Sequence, residues 1–177
     1  MNVWRTVTLL LLLALPIGAN AAQSLSDYQL GSGDQIQIQV FGEADLSMEV
    51  RLSDAGTISY PFLSELRVAG NTVSQLEAQI INGLKGDYLV DPSVNVSVIE
   101  YRPFYINGEV KTPGGYPFKP GLTLRKAVTL AGGFTERASK SKFNLLAEGA
   151  LDGKQRQVGI DELLNPGDII TVEQSFF

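Results

Sequence analysis

The sequence predicts an α+β protein made of two small modules, each a sheet of short strands covered by one helix. Three observations carry that expectation. Apolar residues alternate with polar ones in several short runs, the period-2 signature of strands with one buried face. Only two segments repeat apolar residues at helical spacing, and strands and helices do not interleave regularly enough for a parallel βαβ sheet. The phrase Leu-x-x-Gly-Asp-x-Ile-x-(Ile/Val) occurs at residues 30–38 and again at 164–172, one device used once near each end of the chain.

The elements follow in order. In residues 28–41, YQLGSGDQIQIQVF, the glycines Gly31 and Gly33 give a turn, Asp34 bonds local backbone amides, and a strand departs. Along it Ile36, Ile38 and Val40 alternate with Gln35, Gln37 and Gln39, so the glutamines face water or a neighbour. A turn at Asp54-Ala55-Gly56 separates apolar pairs in a stretch that ends at Tyr60-Pro61. Thr72 and Gln75 form a capping box, Val73, Leu76, Ile80 and Leu84 share one helical face, and Gly86 ends the helix. Val94, Val96 and Val98 then alternate as a strand.

In residues 104–116, FYINGEVKTPGGY, Phe104, Ile106 and Val110 lie on one face past Gly108, and the run stops at a Pro113-Gly114-Gly115 turn. Thr123 opens a shorter helix with Leu124, Ala127, Val128 and Ala131 on its buried side, and Gly132-Gly133 closes it. Asp152-Gly153 is a hairpin turn between residues 144–148 and 155–160. Gly167 and Asp168 then repeat the first turn before the last strand. The proline at Arg102-Pro103 interrupts strand character and predicts the boundary between modules.

The first 21 residues read as a signal peptide, with a retained N-terminal anchor as the alternative. Arg5 supplies the charge, residues 7–15 are almost continuously apolar, and Ala19 and Ala21 stand where a signal peptidase reads small residues. Cleavage after Ala21 leaves 156 of the 177 residues, enough for one ordinary domain or two small ones. Arg5 leaves with the leader, so 13 of the 14 bases face all 19 acids and the net charge moves from −5 to −6. That sign argues against a nucleic-acid partner, which needs concentrated Lys and Arg to displace counterions. Cysteine is absent, so neither a disulfide framework nor a lipid-bearing cysteine is expected.

Catalytic chemistry finds little to use. Without His or Cys, the Ser-His and Cys-His nucleophiles and the usual zinc sites are excluded. The segment GALDGK, residues 149–154, lacks the spacing and the Ser or Thr of a phosphate loop, and Gly31-Ser32-Gly33 precedes a strand instead of opening a helix. Neither a cofactor nor a metal is expected. Glu43 with Asp45, Glu100 with Glu109, and Asp161 with Glu162 are the carboxylate pairs a glycosidase would need, but a chain this acidic produces such pairs by chance. Arg125, Lys126, Arg137, Lys140 and Lys142 cluster in sequence and read as a solvated edge before an anion site. Tyr101, Phe104, Tyr105 and Tyr116 read as packing or interface aromatics before sugar platforms.

Taken together the segments resemble a known family. YQLGSGDQIQIQVF, VRLSDAGTISYPF, VAGNTVSQLEAQI and DPSVNVSV, in that order, resemble the polysaccharide export domain of the outer-membrane capsule and exopolysaccharide export proteins. INGEVKTPGGYPF, GLTLRKAVTLAGG and LNPGDIITV resemble the SLBB β-grasp domain that accompanies it. The resemblance divides the chain into a leader at 1–21, an export domain at 22–102 and a β-grasp domain at 103–177. It makes Gly31, Gly33, Asp34, Gly56, Pro61, Gly108, Pro113, Gly114, Gly132, Gly133, Gly167 and Asp168 structural. Arg102, Tyr105, Glu109 and Tyr116 become candidates for contact with a neighbouring subunit or with glycan.

The resemblance further implies a non-enzymatic, unlipidated periplasmic protein associated with the outer membrane. Copies would form a homo-oligomeric ring around a passage for polysaccharide, working with an inner-membrane polysaccharide co-polymerase. Larger members carry a lipidated cysteine, further β-grasp repeats and a C-terminal membrane helix. None is read here, so a separate outer-membrane β-barrel protein is the expected partner, with the terminal Phe176-Phe177 pair either docking on it or fraying. Two rivals remain: a monomeric glycan- or peptidoglycan-binding module using the surface of Tyr105, Glu109 and Tyr116, and a minimal carboxylate glycosidase.

Overall fold

The computed structural model describes residues 28–150 and 153–175. The expected leader, Asp152 of the expected hairpin turn and the terminal Phe176-Phe177 pair lie outside those residues. The α+β class holds, with ten strands and two α-helices among the described residues.

In the first half of the chain, β1 (Gln35–Val40) runs between β2 (Met48–Arg51) and β5 (Val94–Glu100) in an antiparallel sheet of order β2-β1-β5. The alternation read from the sequence sets its faces: Ile36, Ile38 and Val40 are buried, while Gln37 and Gln39 are exposed. Two further strands, β3 (Thr57–Tyr60) and β4 (Ser64–Arg67), form a separate hairpin. The Asp54-Ala55-Gly56 turn therefore does not pair the strands that flank it. The Gly56 carbonyl explains why, because it accepts amides from both Val68 and Ala69 at 2.9 Å and so commits β3 to β4.

Helix α1 (Val73–Leu84) starts at the expected capping box. The Gln75 amide donates to Thr72 Oγ1 at 3.3 Å, and the Thr72 amide donates to Gln75 Oε1 at 2.8 Å. Leu76, Ile80 and Leu84 from its inner face are fully buried against β1, β5 and Tyr60. Tyr60 is itself buried, and its hydroxyl donates to the Leu46 carbonyl at 2.9 Å, which satisfies the one polar atom it brings into the core.

A second core is drawn from residues 104–172. Its sheet has the order β7-β6-β10-β8-β9, built from β6 (Phe104–Gly108), β7 (Gly114–Tyr116), β8 (Ala138–Leu146), β9 (Arg156–Val158) and β10 (Ile169–Gln174). β6 and β10 are parallel, and every other pair is antiparallel. A parallel pair needs a long connection, and α2 (Leu124–Leu130) lies within it and covers the sheet with Leu124, Ala127 and Val128. This is a β-grasp arrangement. The β8-β9 pairing matches the hairpin expected around Gly153.

The Pro-Gly-Gly segment differs from expectation. Gly114 and Gly115 are not a terminal turn but the body of β7, paired with Ile106 and Tyr105. Gly115 is small enough to let the Tyr105 ring lie over it, at 2.9 Å from where a Cβ would stand. Gly108 is needed for two reasons: its φ is +82°, and a Cβ there would strike the carbonyl of Val172 on β10. Gly108→Ala is expected to lower stability by at least about 2 kcal/mol, combining left-handed backbone strain with displacement of the parallel pair. Urea denaturation followed by circular dichroism checks this.

Candidate functional site

The two cores meet at residues 101–103, and the chemistry there is built from the first Gly-Asp turn. Asp34 has no solvent exposure. Its Oδ2 accepts from the Gly31 amide at 2.9 Å, the Tyr28 hydroxyl at 2.5 Å and Arg102 Nη1 at 2.9 Å, while Oδ1 accepts from the Arg102 amide at 2.8 Å. Arg102 Nη1 also donates to the Tyr28 oxygen at 2.6 Å, and Nε pairs with the Glu148 carboxylate beyond β8. Gly31 makes this possible, because a Cβ in its place would collide with the guanidinium. Three rings continue the junction: Tyr101 packs edge-on against Tyr28, with centroids 5.1 Å apart, and against Phe118 of the second core at 5.5 Å.

The repeated phrase places its second copy beside the first. The Asn165 amide donates to Asp168 Oδ2 at 2.8 Å, as Gly31 does to Asp34, and the Gly167 amide donates to the Pro103 carbonyl at 3.1 Å. A side chain at Gly167 would run into Glu148, the partner of Arg102. The two turns thus flank the same linker.

Electrostatics follow from burial. Desolvation, reinforced by Asp34, pushes the Tyr28 phenol far above its ordinary range, so it stays a donor. Burial works against the Arg102 charge, but Tyr28, Asp34 and Glu148 more than offset it and hold the guanidinium above its usual value. Burial likewise raises the Asp168 carboxyl, against the opposing effect of amides donated to it.

The sequence candidates are distributed unevenly around this junction. Arg102 is occupied by Asp34, Tyr28 and Glu148 within its own chain. Tyr105 is 48% exposed on the outer face of β6. Glu109 accepts from the Thr135 hydroxyl at 2.5 Å, and the Tyr116 hydroxyl donates to the Thr112 carbonyl at 2.6 Å while its ring stacks on Phe104. Arg125 is paired with Asp161 at 2.9 Å, and Lys126 donates to the Gly121 carbonyl, which takes both out of the basic cluster. Glu100, Asp161 and Glu162 are each engaged by an arginine. Among the described residues no group of three or more acidic side chains is arranged to hold a metal, and no helix is long and apolar enough to cross a membrane.

Sequence reasoning missed the partners Tyr28 and Glu148, because Arg102 stands 74 and 46 residues from them and nothing local marks the pairing. It also missed a surface feature. At the tip of the β3-β4 hairpin Phe62 has φ +64° and Ser64 φ +59°, and the Phe62 ring, 62% exposed, stacks on exposed Tyr88 at 4.7 Å. A bulky residue held in the left-handed region stores strain of order 1 kcal/mol or more. No sequence signal foretells it.

Comparison with known proteins bears on the same two halves. A family model described as polysaccharide biosynthesis/export protein matches residues 22–99, and an SLBB domain model matches residues 103–159. The exopolysaccharide production protein ExoF of Rhizobium meliloti is 32% identical over 167 residues, covering 84% of this chain and 39% of ExoF. The EPS I polysaccharide export outer membrane protein EpsA of Ralstonia nicotianae is 34% identical over 161 residues, covering 83% of this chain and 41% of EpsA. The polysialic acid transport protein KpsD of Escherichia coli is 30% identical over 109 residues, which is 60% of this chain and 20% of KpsD. The chain thus spans about two-fifths of the length of the first two.

Removing one partner from the junction strands the others. Asp34→Ala is expected to destabilise the protein by about 3–5 kcal/mol, and Tyr28→Phe by about 1–3 kcal/mol, both read from urea midpoints. Asp168 gives a pH signature. Because its pKa is raised in the fold, between the ordinary carboxylate value of 3.8 and that raised value the native state holds a proton the unfolded chain has lost. Stability from this group therefore grows as pH falls through the window. In Asp168→Asn that gain is expected to vanish from urea midpoints measured between about pH 4 and neutrality.

Proposed function

The chain belongs to the polysaccharide biosynthesis/export family and carries an SLBB domain, and we propose that it is a ring-forming periplasmic component of an exopolysaccharide or capsule exporter. In this reading residues 22–102 and 103–177 are the two modules, and the ring conducts polymer toward the outer membrane. A separate β-barrel supplies the outer-membrane pore, and an inner-membrane co-polymerase delivers the polymer.

The observation that carries the reading is the order of modules, an export domain followed by a β-grasp domain, tied at one seam by Arg102, which pairs with Asp34 in the first and with Glu148 in the second. A subunit that assembles laterally must present fixed faces, and the Arg102–Glu148 pair across its halves, with Arg102 anchored on buried Asp34, favours that. The strained, exposed Phe62–Tyr88 stack supports self-association, since an apolar aromatic pair at a hairpin tip is suited to a neighbour's surface. Conduction also fits the chemistry absent from the sequence, because tight contacts to a repeating polymer would multiply along it and stall transport.

Deleting the gene is expected to leave polymer inside the cell envelope, and normal secretion without it would refute the reading. Phe62→Gly separates the assembly role from folding. Glycine adopts φ near +64° without strain, so monomer stability is expected to stay within about 1 kcal/mol of the parent. Sedimentation velocity is expected to show weakened self-association in the same variant.

A further inference from the structure

We propose that the solvent face of the β2-β1-β5 sheet is a polysaccharide subsite selective for uncharged sugar chains. In it Gln37 and Gln39 supply paired hydrogen-bonding amides, and Phe41 supplies the stacking platform. The inference rests on the export reading and adds to it a location and a ligand class.

The alternation that buries Ile36, Ile38 and Val40 turns Gln37 and Gln39 outward, and Phe41 comes next in the same series, 61% exposed. The Phe41 amide still donates to the Ser93 carbonyl at 3.0 Å, so the ladder with the β5 edge continues through it. Asn95 and Ser97 are the cross-strand neighbours of Gln39 and Gln37, and Glu49 lies opposite Gln37 on β2. These residues extend the polar face to both sides. Gln37, Gln39, Phe41, Glu43 and Glu49 line an open groove of about 570 Å³. Among the described residues the Gln37 and Gln39 side chains make no hydrogen bond and the Phe41 ring meets no other ring, unlike Gln35, which accepts from Arg51 at 2.8 Å.

The chemistry of this set matches a polyol. Each amide offers donors and an acceptor, as each sugar hydroxyl does, and an open aromatic face accepts the apolar C–H side of a pyranose ring. Charge narrows the class. Residues 28–50 contain no Lys or Arg but include Glu43, Asp45 and Glu49, and the first base, Arg51, is taken by Gln35, Glu100 and the Gly33 carbonyl. An anionic chain would meet uncompensated carboxylates, whereas a neutral one meets only hydrogen-bonding partners. Shallow, open contact of this kind implies dissociation constants on the order of millimolar, compatible with a polymer that must keep moving.

Saturation-transfer NMR on the full chain with maltohexaose, cellohexaose and laminarihexaose tests the subsite, with oligogalacturonate as the anionic comparison. Saturable transfer to at least one neutral hexaose is expected, weakened roughly three- to ten-fold by Phe41→Ala and by Gln37→Ala with Gln39→Ala. Oligogalacturonate is expected to show none. All three substitutions are on exposed positions, and unchanged thermal melting confirms that the variants fold. The proposal is overturned if no neutral hexaose binds, if binding survives these substitutions, or if oligogalacturonate binds equally well. It also falls if Phe41→Ala abolishes self-association, which would assign the face to a second copy. Export in a deletion strain separates this from the broader reading. If the parent chain restores secretion while the glycan contacts prove absent, only the subsite fails; if deletion leaves secretion intact, the export role itself fails.

Discussion

The buried carboxylate of Asp34 is the constraint on which the rest of the arrangement depends. A fully desolvated acid is tolerable only when donors surround it, and here four do so from three separate places in the chain. One donor comes from the turn itself, one from Tyr28 ahead of it, and two from Arg102 on the far side of the first module. The turn cannot be satisfied locally unless the linker is in place. The linker, in turn, is fixed by Glu148 and by the Gly167 amide from the second module. Two cores that share few apolar contacts are thereby coupled through one polar cluster and the Tyr28-Tyr101-Phe118 ring series.

The seam couples two cores that are each packed independently, and the faces away from it are of a different kind. Their character is consistent: a polar strand face with free amides, an aromatic pair on strained backbone, and arginines mostly consumed in ion pairs with neighbouring acids. Exposed ion pairs of that sort contribute little to folding, but they neutralise charge that would otherwise attract or repel a charged polymer. A surface made this way favours many weak contacts over a few strong ones.

Much of the fold was legible locally. The Thr72-Gln75 capping box, the buried faces of both helices and the alternation in β1 appear where periodicity and capping chemistry put them, because each depends on residues only a few positions apart. The repeated Leu-x-x-Gly-Asp phrase does encode the same hydrogen-bonded turn twice. Where reading failed, a distant partner decided the outcome. Gly114 and Gly115 carry turn composition but become a strand because β6 offers an open edge and Tyr105 covers the missing side chain. The turn at Asp54-Ala55-Gly56 forms as read, closed by the Gly56 amide on the Ser53 carbonyl, but which strand β3 joins is decided by the end of β4, whose Val68 and Ala69 amides donate to the Gly56 carbonyl.

The candidate site divides along the same line. Sequence alone determined that the chain has no nucleophile–base pair involving His or Cys, that Gln37 and Gln39 turn away from the core, and that one Gly-Asp turn occurs near each end; all of these follow from residue identity and short-range periodicity. Only the tertiary structure decided that Arg102 serves the seam, that Gly31 is small to admit its guanidinium, and that Phe62 meets Tyr88 on a strained hairpin. The reason is range. Backbone preference and side-chain alternation act over a few residues, whereas a buried charge takes its partners from wherever packing brings them.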